Sequence, residues 1–331
     1  MTIEGKLLAR RGNFGYRSVA SSFEFAPEDF YVDRTYYGLG LLGAYFYSSL
    51  HDAQGNILAP MRKVTAEMGS GLQLQTNVGR DFLETDLDSF LKTQRGVGIR
   101  WAWEGPDTFS VRAKGSPINA PADIVITPTS LSWSEGDLVD LHGERLGLGY
   151  QWYTPNLDEG GGNYYASQVF HARGTVLGRE VEGIIGFDEL YGPQGQVFQT
   201  SPCFNGIELA WVAFANVYPD GEFEVGACCL GAQHWGFAVI NTERGEHVAV
   251  TDIEAEVTLD DDRYAARAVY HLPGEDWVFT AAPRAQMRSL AAARGDNYHG
   301  QGGSVRRAGD DRTPTVSTAW IETFPANGVL R

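Results

Sequence analysis

The sequence predicts an all-β protein built as two antiparallel lobes. Three observations lead there. Apolar and polar residues alternate with period two at 99–103, 108–114, 222–229 and 252–259, the pattern of half-buried strands. Runs with helical period are few. Glycine (40 residues) and aromatic residues (15 Tyr, 17 Phe, 8 Trp) are abundant, which suits turns and pleated, half-buried surfaces. At 331 residues the chain exceeds what one core usually fills. Two domains are therefore expected, at 1–147 and 148–331, divided at the Gly-rich passage 136–149.

In chain order, residues 1–40 read as irregular, broken by Pro27, Gly38 and Gly40. Residues 44–50 and 57–64 flank a Gly/Asn turn and predict a hairpin. Residues 81–95 (DFLETDLDSFLKTQR) read as a first helix or as a loop over a barrel mouth. Clean strands follow from Ile99 to Lys114, with shorter ones at 122–127 and 130–133. Residues 207–218 (IELAWVAFANVY) are apolar on both faces and predict a strand covered on both sides. A turn at Pro219-Asp220-Gly221 leads to the strand 222–229. Residues 252–259 give the cleanest alternation, and Tyr264–Leu272 is the partner strand. Residues 283–294 read as a short helix, with Pro at its start and Gly295 beyond its end. Residues 296–312 read as a polar loop, and 315–324 as a closing strand.

The charge balance is 26 basic against 42 acidic residues, a net −16. Phosphate backbones and anionic membranes repel such a chain, so neither is an expected partner. The three cysteines, Cys203, Cys228 and Cys229, have neither disulfide-framework nor metal-ligand spacing. Free thiols in a reducing, cytoplasmic setting are expected. No stretch reads as a signal peptide or a membrane span. Phosphate-cradling loops and nucleophile elbows are absent as motifs, so cofactor-free, metal-free chemistry is expected.

The stretch from Leu148 to Gly192 concentrates aromatic residues beside titratable ones. It holds Tyr150, Trp152, Tyr153, Tyr164, Tyr165, Phe170, Phe187 and Tyr191, with His171 and the pair Asp188–Glu189. It also carries a Gly-rich turn at 158–163. Rings with polar tips next to ionisable groups suit a pocket for a bulky apolar molecule. Taken singly, each ring reads better as core of a β protein, so the case for a pocket rests on the cluster as a whole.

Several segments carry a family resemblance. These are Tyr164-Tyr165, then 174–178 (GTVLG), 181–183 (VEG) and 187–192 (FDELYG). The hairpin from Trp211 to Gly221 and the strand 318–322 (TAWIE) continue it. Together they resemble the carotenoid hydratase/AttH-like family, which also takes in kievitone-hydratase-like and fungal Diels-Alderase-like proteins. The chain departs from the family pattern at Gly186-Phe187 and at Leu190-Tyr191. The resemblance covers mainly residues 148–325 and implies two lipocalin-like β domains with a ligand pocket at or near their junction. Its members hydrate isoprenoids and isoflavonoids or cyclise polyketides, so it leaves the reaction open.

Asp188 is the first candidate for catalysis. It follows an apolar strand, where burial would raise its pKa and let it protonate an alkene or eliminate a hydroxyl. The competing reading is an Asp capping a turn at a strand end. His171, at strand centre, is an acid/base candidate or a structural histidine, and Glu208 is a further acid. Glu189 points opposite to Asp188 in an extended chain and is expected to be solvated. Tyr150, Trp152, Tyr164, Tyr165, Tyr191 and Trp211 are the candidate substrate-binding residues. Two functions follow. One is a cofactor-independent lyase or cyclase/isomerase that hydrates, dehydrates or cyclises a terpenoid, polyketide or steroid-like molecule. The other is a non-catalytic binder of such a molecule. Titratable groups in the pocket separate them. Oligomeric state is left open.

Overall fold

A computed structural model describes residues 5–9, 18–30, 33–65, 68–156, 161–196, 201, 203–232, 235–251, 253–288 and 297–330. Among these the protein is all-β: two large antiparallel sheets, one of 13 strands and one of 11. The expected hairpin is present, with strands Gly40–Asp52 and Ile57–Val64 joined at Gly55, whose φ of +75° suits glycine. The strand Glu208–Val217 is buried on both faces, as its sequence predicts.

Each sheet curls around a core of its own. Inside the first, Phe46, Leu50, Trp133, Phe170, Ile185 and Phe187 pack together. Inside the second, Val212, Phe214, Cys228, Ile240, Tyr270 and Phe279 do the same. Strand alternation then gives each sheet a second, outward face. Along Arg179–Gly192, Val181, Ile185 and Phe187 point to the first core, while Ile184 and Leu190 point outward. Along Phe223–Gly231, Cys228 and Leu230 point to the second core, while Val225, Ala227 and Cys229 point outward. The two outward faces meet in a third apolar layer, built from both sheets, that includes Tyr150, Trp152, Val169, Trp235 and Phe237. The sheets are thus packed back to back, and their contact layer is called the seam below.

The sheets divide the chain differently from composition. Strands Gly149–Asn156, Gly161–Val176 and Arg179–Gly192 are hydrogen-bonded into the first sheet, so the chain changes sheet after Gly192 rather than at the glycines of 136–149. The segment expected to be irregular holds two strands. Val19–Phe23 pairs with Gly149–Asn156 in the first sheet. Gly5–Ala9 pairs with Glu254–Leu259 and Gly328–Leu330 in the second.

Of the two helix readings, the first holds in part and the second gives way. Of residues 81–95 only Leu87–Lys92 is helical, started by Asp86, whose carboxylate accepts the Ser89 N–H at 3.0 Å. Residues 283–286 belong to the strand Glu275–Gln286, whose register shifts between Ala281 and Gln286; residues 289–294 lie outside the described residues. The expected polar loop after 296 contains the strand His299–Arg307. Its glycines let neighbours approach: a Cβ on Gly303 would lie 2.4 Å from the Thr280 carbonyl, and one on Gly300 2.6 Å from the Trp320 ring. Residues 158–160 of the Gly-rich turn, and His234, also lie outside the described residues.

Candidate functional site

The site is built on the outward face of the first sheet, where the second covers it. Three neighbouring strands present Tyr45 and Tyr47, Tyr165 and Ser167, and Asp188, with Ser167 and Tyr45 directly opposite Asp188 in the two ladders. Tyr150 lies opposite Ser167 from the strand beyond. Asp188 is 6% exposed. Its carboxyl accepts a hydrogen bond from the Ser167 hydroxyl at 2.6 Å and a short one from the Tyr165 hydroxyl. Trp152 stacks on Tyr165 with ring centroids 5.6 Å apart, and Trp211 from the second sheet meets Tyr165 edge-on at 6.3 Å.

Burial dominates the electrostatics. Loss of water raises the Asp188 pKa from 3.8 to about 7, the hydroxyls of Ser167 and Tyr165 oppose the rise, and the charge of Glu322 on the second sheet adds to it. The groups that act on it include no cation. The surrounding phenols are held neutral. Tyr47 and Tyr165 are raised well above the ordinary tyrosine value by burial first and by Asp188 second. Tyr150 is raised for the same two reasons. The hydroxyls of Tyr47 and Tyr150 lie near each other and near Ser167, yet neither reaches hydrogen-bonding geometry. The cluster is a carboxyl near its midpoint at neutral pH, ringed by neutral hydroxyl donors and aromatic faces. Such a group can give and take a proton in a space where water competes poorly.

The remaining candidates are distributed as follows. Tyr150, Trp152, Tyr165 and Trp211 gather at the seam with Asp188. Tyr164 and Tyr191 alternate to the opposite face and pack with Tyr36 instead. Glu208 is buried, and its carboxyl is raised well above the usual range by burial and then by Glu322. His171 shares the face of Ser167 but lies four residues further along, about 13 Å at strand spacing. There its Nε2 is 2.9 Å from Glu182 Oε1, and Arg173 Nη2 is 2.7 Å from the same oxygen. Glu189, expected to be solvated, is 2% exposed. It does point away from Asp188, but that side is also covered: Tyr191 donates to it at 3.2 Å, and burial pushes its carboxyl up.

Sequence reasoning missed Tyr45, Tyr47, Ser167 and the role of Glu322. The first three carry a readable signal. Tyr45-x-Tyr47-x-Ser49 and Tyr165-x-Ser167 are polar-tipped residues on one face of apolar strands, the period used elsewhere to assign faces.

Two surface grooves lie away from Asp188. One, of about 420 Å³, runs over the first sheet and is lined by Ser130, Ser132, His142, Glu144, His171 and Arg173. The other, of about 570 Å³, lies between the sheets and is lined by residues that include Phe82, Asp260, Arg284, Gln286 and Arg288. Among the described residues no group of three His, Cys, Asp or Glu side chains is placed to hold a metal ion. No helix among them is long and apolar enough to cross a membrane.

No family model matches the sequence, and no curated protein matches it. Among solved structures the chain is similar to a candidate AttH from Nitrosomonas europaea. That match has 12% identity and a TM-score of 0.48, and covers 86% of this chain and 91% of that one. It is also similar to kievitone hydratase from Nectria haematococca, at 11% identity and a TM-score of 0.39, with 85% and 88% covered.

Proposed function

We propose that the protein is a cofactor-independent acid/base enzyme that adds or removes water on a bulky, apolar small molecule, with Asp188 as the proton donor. The observation that carries this reading is a buried carboxyl held by two hydroxyls, Tyr165 and Ser167, inside an aromatic layer. A carboxyl placed there for structure alone would be expected to find a cation or backbone N–H groups. Asp188 instead remains ready to hold a proton near neutral pH. Its neutral acid donates the proton to a substrate double bond, and its conjugate base recovers one in the reverse direction. Tyr165 and Ser167 orient the carboxyl and stabilise the ionised form. Trp152, Trp211 and Tyr165 offer ring faces to the substrate and to any positive charge that develops on it. Cyclisation of a polyketide-like chain in the same apolar layer would use the rings in the same way.

The enclosure of Asp188 supports a second reading. A binder of an apolar metabolite needs the aromatic seam and not the acid, and Asp188 would then only tie adjacent strands together.

The test is incubation of the purified protein with apolar alkenes and the matching alcohols, read by mass spectrometry for gain or loss of one water. Asp188→Asn keeps the size of the side chain but has no acidic proton to give. It is expected to lower turnover by about 10²–10⁴-fold while ligand binding stays near wild type and the variant melts no lower than wild type. Normal turnover in that variant would remove Asp188 from the chemistry. Unfolding of the variant would make Asp188 a structural tie.

A further inference from the structure

We propose that Glu322 is the second working carboxyl of this site, so that the acid stands on one sheet and the base on the other. This rests on the reading of Asp188 given above.

The geometry begins with the strand Val316–Thr323. Its residues Ala319 and Ile321 point into the second core. Alternation sends Thr318, Trp320 and Glu322 to the seam, and Thr318 makes the crossing visible, with its hydroxyl 2.5 Å from that of Ser49 on the first sheet. Glu322 lies directly opposite Trp211 in the ladder, and Trp211 touches the Tyr165 ring that caps Asp188. The route from one carboxyl to the other is therefore Glu322, Trp211, Tyr165, Asp188, with the last link a hydrogen bond. Glu322 is held in place by the Tyr298 hydroxyl and by Trp320 Nε1, at 3.2 Å, both donating to Oε1. The ionisable groups around Asp188 are Tyr47, Tyr150, Tyr165 and Glu322. Those around Glu322 include Tyr298, Glu208, Cys229 and Asp188. The like charge of Glu322 bears directly on Asp188.

Addition of water needs two opposite proton movements, and one carboxyl performs only one of them at a time. Asp188 gives its proton to one alkene carbon, and the π pair forms the new C–H bond. The adjacent carbon becomes positive between the rings. A water oxygen supplies a lone pair to form the C–O bond while Glu322, as carboxylate, takes a proton from that water. The sum is one water added. Asp188 ends ionised and Glu322 protonated, and exchange with solvent resets both. Run backwards, Glu322 protonates the leaving hydroxyl and Asp188 removes the proton from carbon.

Glu322→Gln tests this. Asp188 is titrated in the protein alone by infrared difference spectroscopy, using the carboxyl band that Asp188→Asn abolishes. Removal of the Glu322 charge is expected to move that titration below its wild-type position of about 7. On a compound that wild type converts and Asp188→Asn does not, Glu322→Gln is expected to lose about 10²-fold or more in rate. It should also lose one limb of the pH profile, and formate should restore part of the rate in Glu322→Ala. Glu322→Asp keeps the charge and serves if the amide variant does not fold; its Asp188 titration should stay near wild type while turnover slows. An unmoved Asp188 titration, or full turnover in Glu322→Gln beside a dead Asp188→Asn, overturns the role of Glu322 and leaves Asp188 standing. Normal turnover in Asp188→Asn overturns the reading beneath both.

Discussion

Two buried carboxyls on the first sheet make opposite use of burial. Glu135 is 0% exposed and faces Arg62, itself 1% exposed. Arg62 donates through Nε and through Nη2, the latter at 2.8 Å, and Trp133 Nε1 adds a third donor at 2.9 Å. The remaining guanidinium nitrogen is taken by the carbonyls of Ser70 and Gln94. Every charge there is matched, inside a core of Phe46, Trp133 and Leu141. Asp188 is also buried, at 6% exposed, but its described partners are hydroxyls and, across the seam, another acid. Glu135 is paired with a cation for the sake of the fold; Asp188 is held near its midpoint at neutral pH. Compensation, rather than burial, separates a structural acid from a candidate reactive one.

Breaking the first arrangement should have the largest effect. Arg62→Met leaves Glu135 buried and uncompensated, at a cost of about 3–5 kcal/mol. Denaturant unfolding should show this as a lowered midpoint. A loss below 1 kcal/mol would mean that the pair contributes little.

The second arrangement should be visible in the pH dependence of stability. The folded pKa of Asp188, about 7, lies above the ordinary 3.8. The folded state therefore holds this proton more tightly, and stability is fully present at low pH. It declines as pH rises through the window between those values, by on the order of 1.4 kcal/mol per pH unit for one fully coupled group. Glu189 and Glu208, also raised, act in the same direction. Asp188→Asn removes the Asp188 share. Its melting temperature relative to wild type should rise from about pH 5 to pH 8, and a constant difference would refute the shift.

The smallest effect should come from His171. Its pairing with Glu182 is a partly exposed contact shared with Arg173, worth less than about 1 kcal/mol. His171→Ala should melt within a few degrees of wild type and keep its turnover. A loss of turnover like that of Asp188→Asn would move the acid/base centre toward the groove over Ser130 and His142.

Much of this was legible in the chain. Period two identified the strands and placed Asp188 and Glu189 on opposite faces. Asp188 could be singled out because apolar residues lead up to it. The burial of Glu189 was not readable, because alternation tells which face a residue takes and not what covers that face. Tyr191 reaches Glu189 with its hydroxyl, and Tyr36, from far along the chain, packs on Tyr191 and Tyr164. The glycines of 299–303 read as loop because glycine weakens strand propensity. Here they make room for the Trp320 ring and the Thr280 carbonyl, which only the folded neighbours reveal. Glu322 could be seen as part of a strand, but its relation to Asp188 depends on how two sheets meet.

The strand Gly5–Ala9 has a consequence for how the sheets can move. It pairs in the second sheet, with Leu7 opposite Leu330, although the chain then builds the whole first sheet before returning. The first sheet is therefore tethered to the second at two points, before Val19 and after Gly192. A body tied twice does not swivel about a single joint. The N-terminal strand finds both of its partners, Glu254–Leu259 and Gly328–Leu330, only across the whole first sheet, so its pairing carries the loop-closure cost of contacts far apart in sequence.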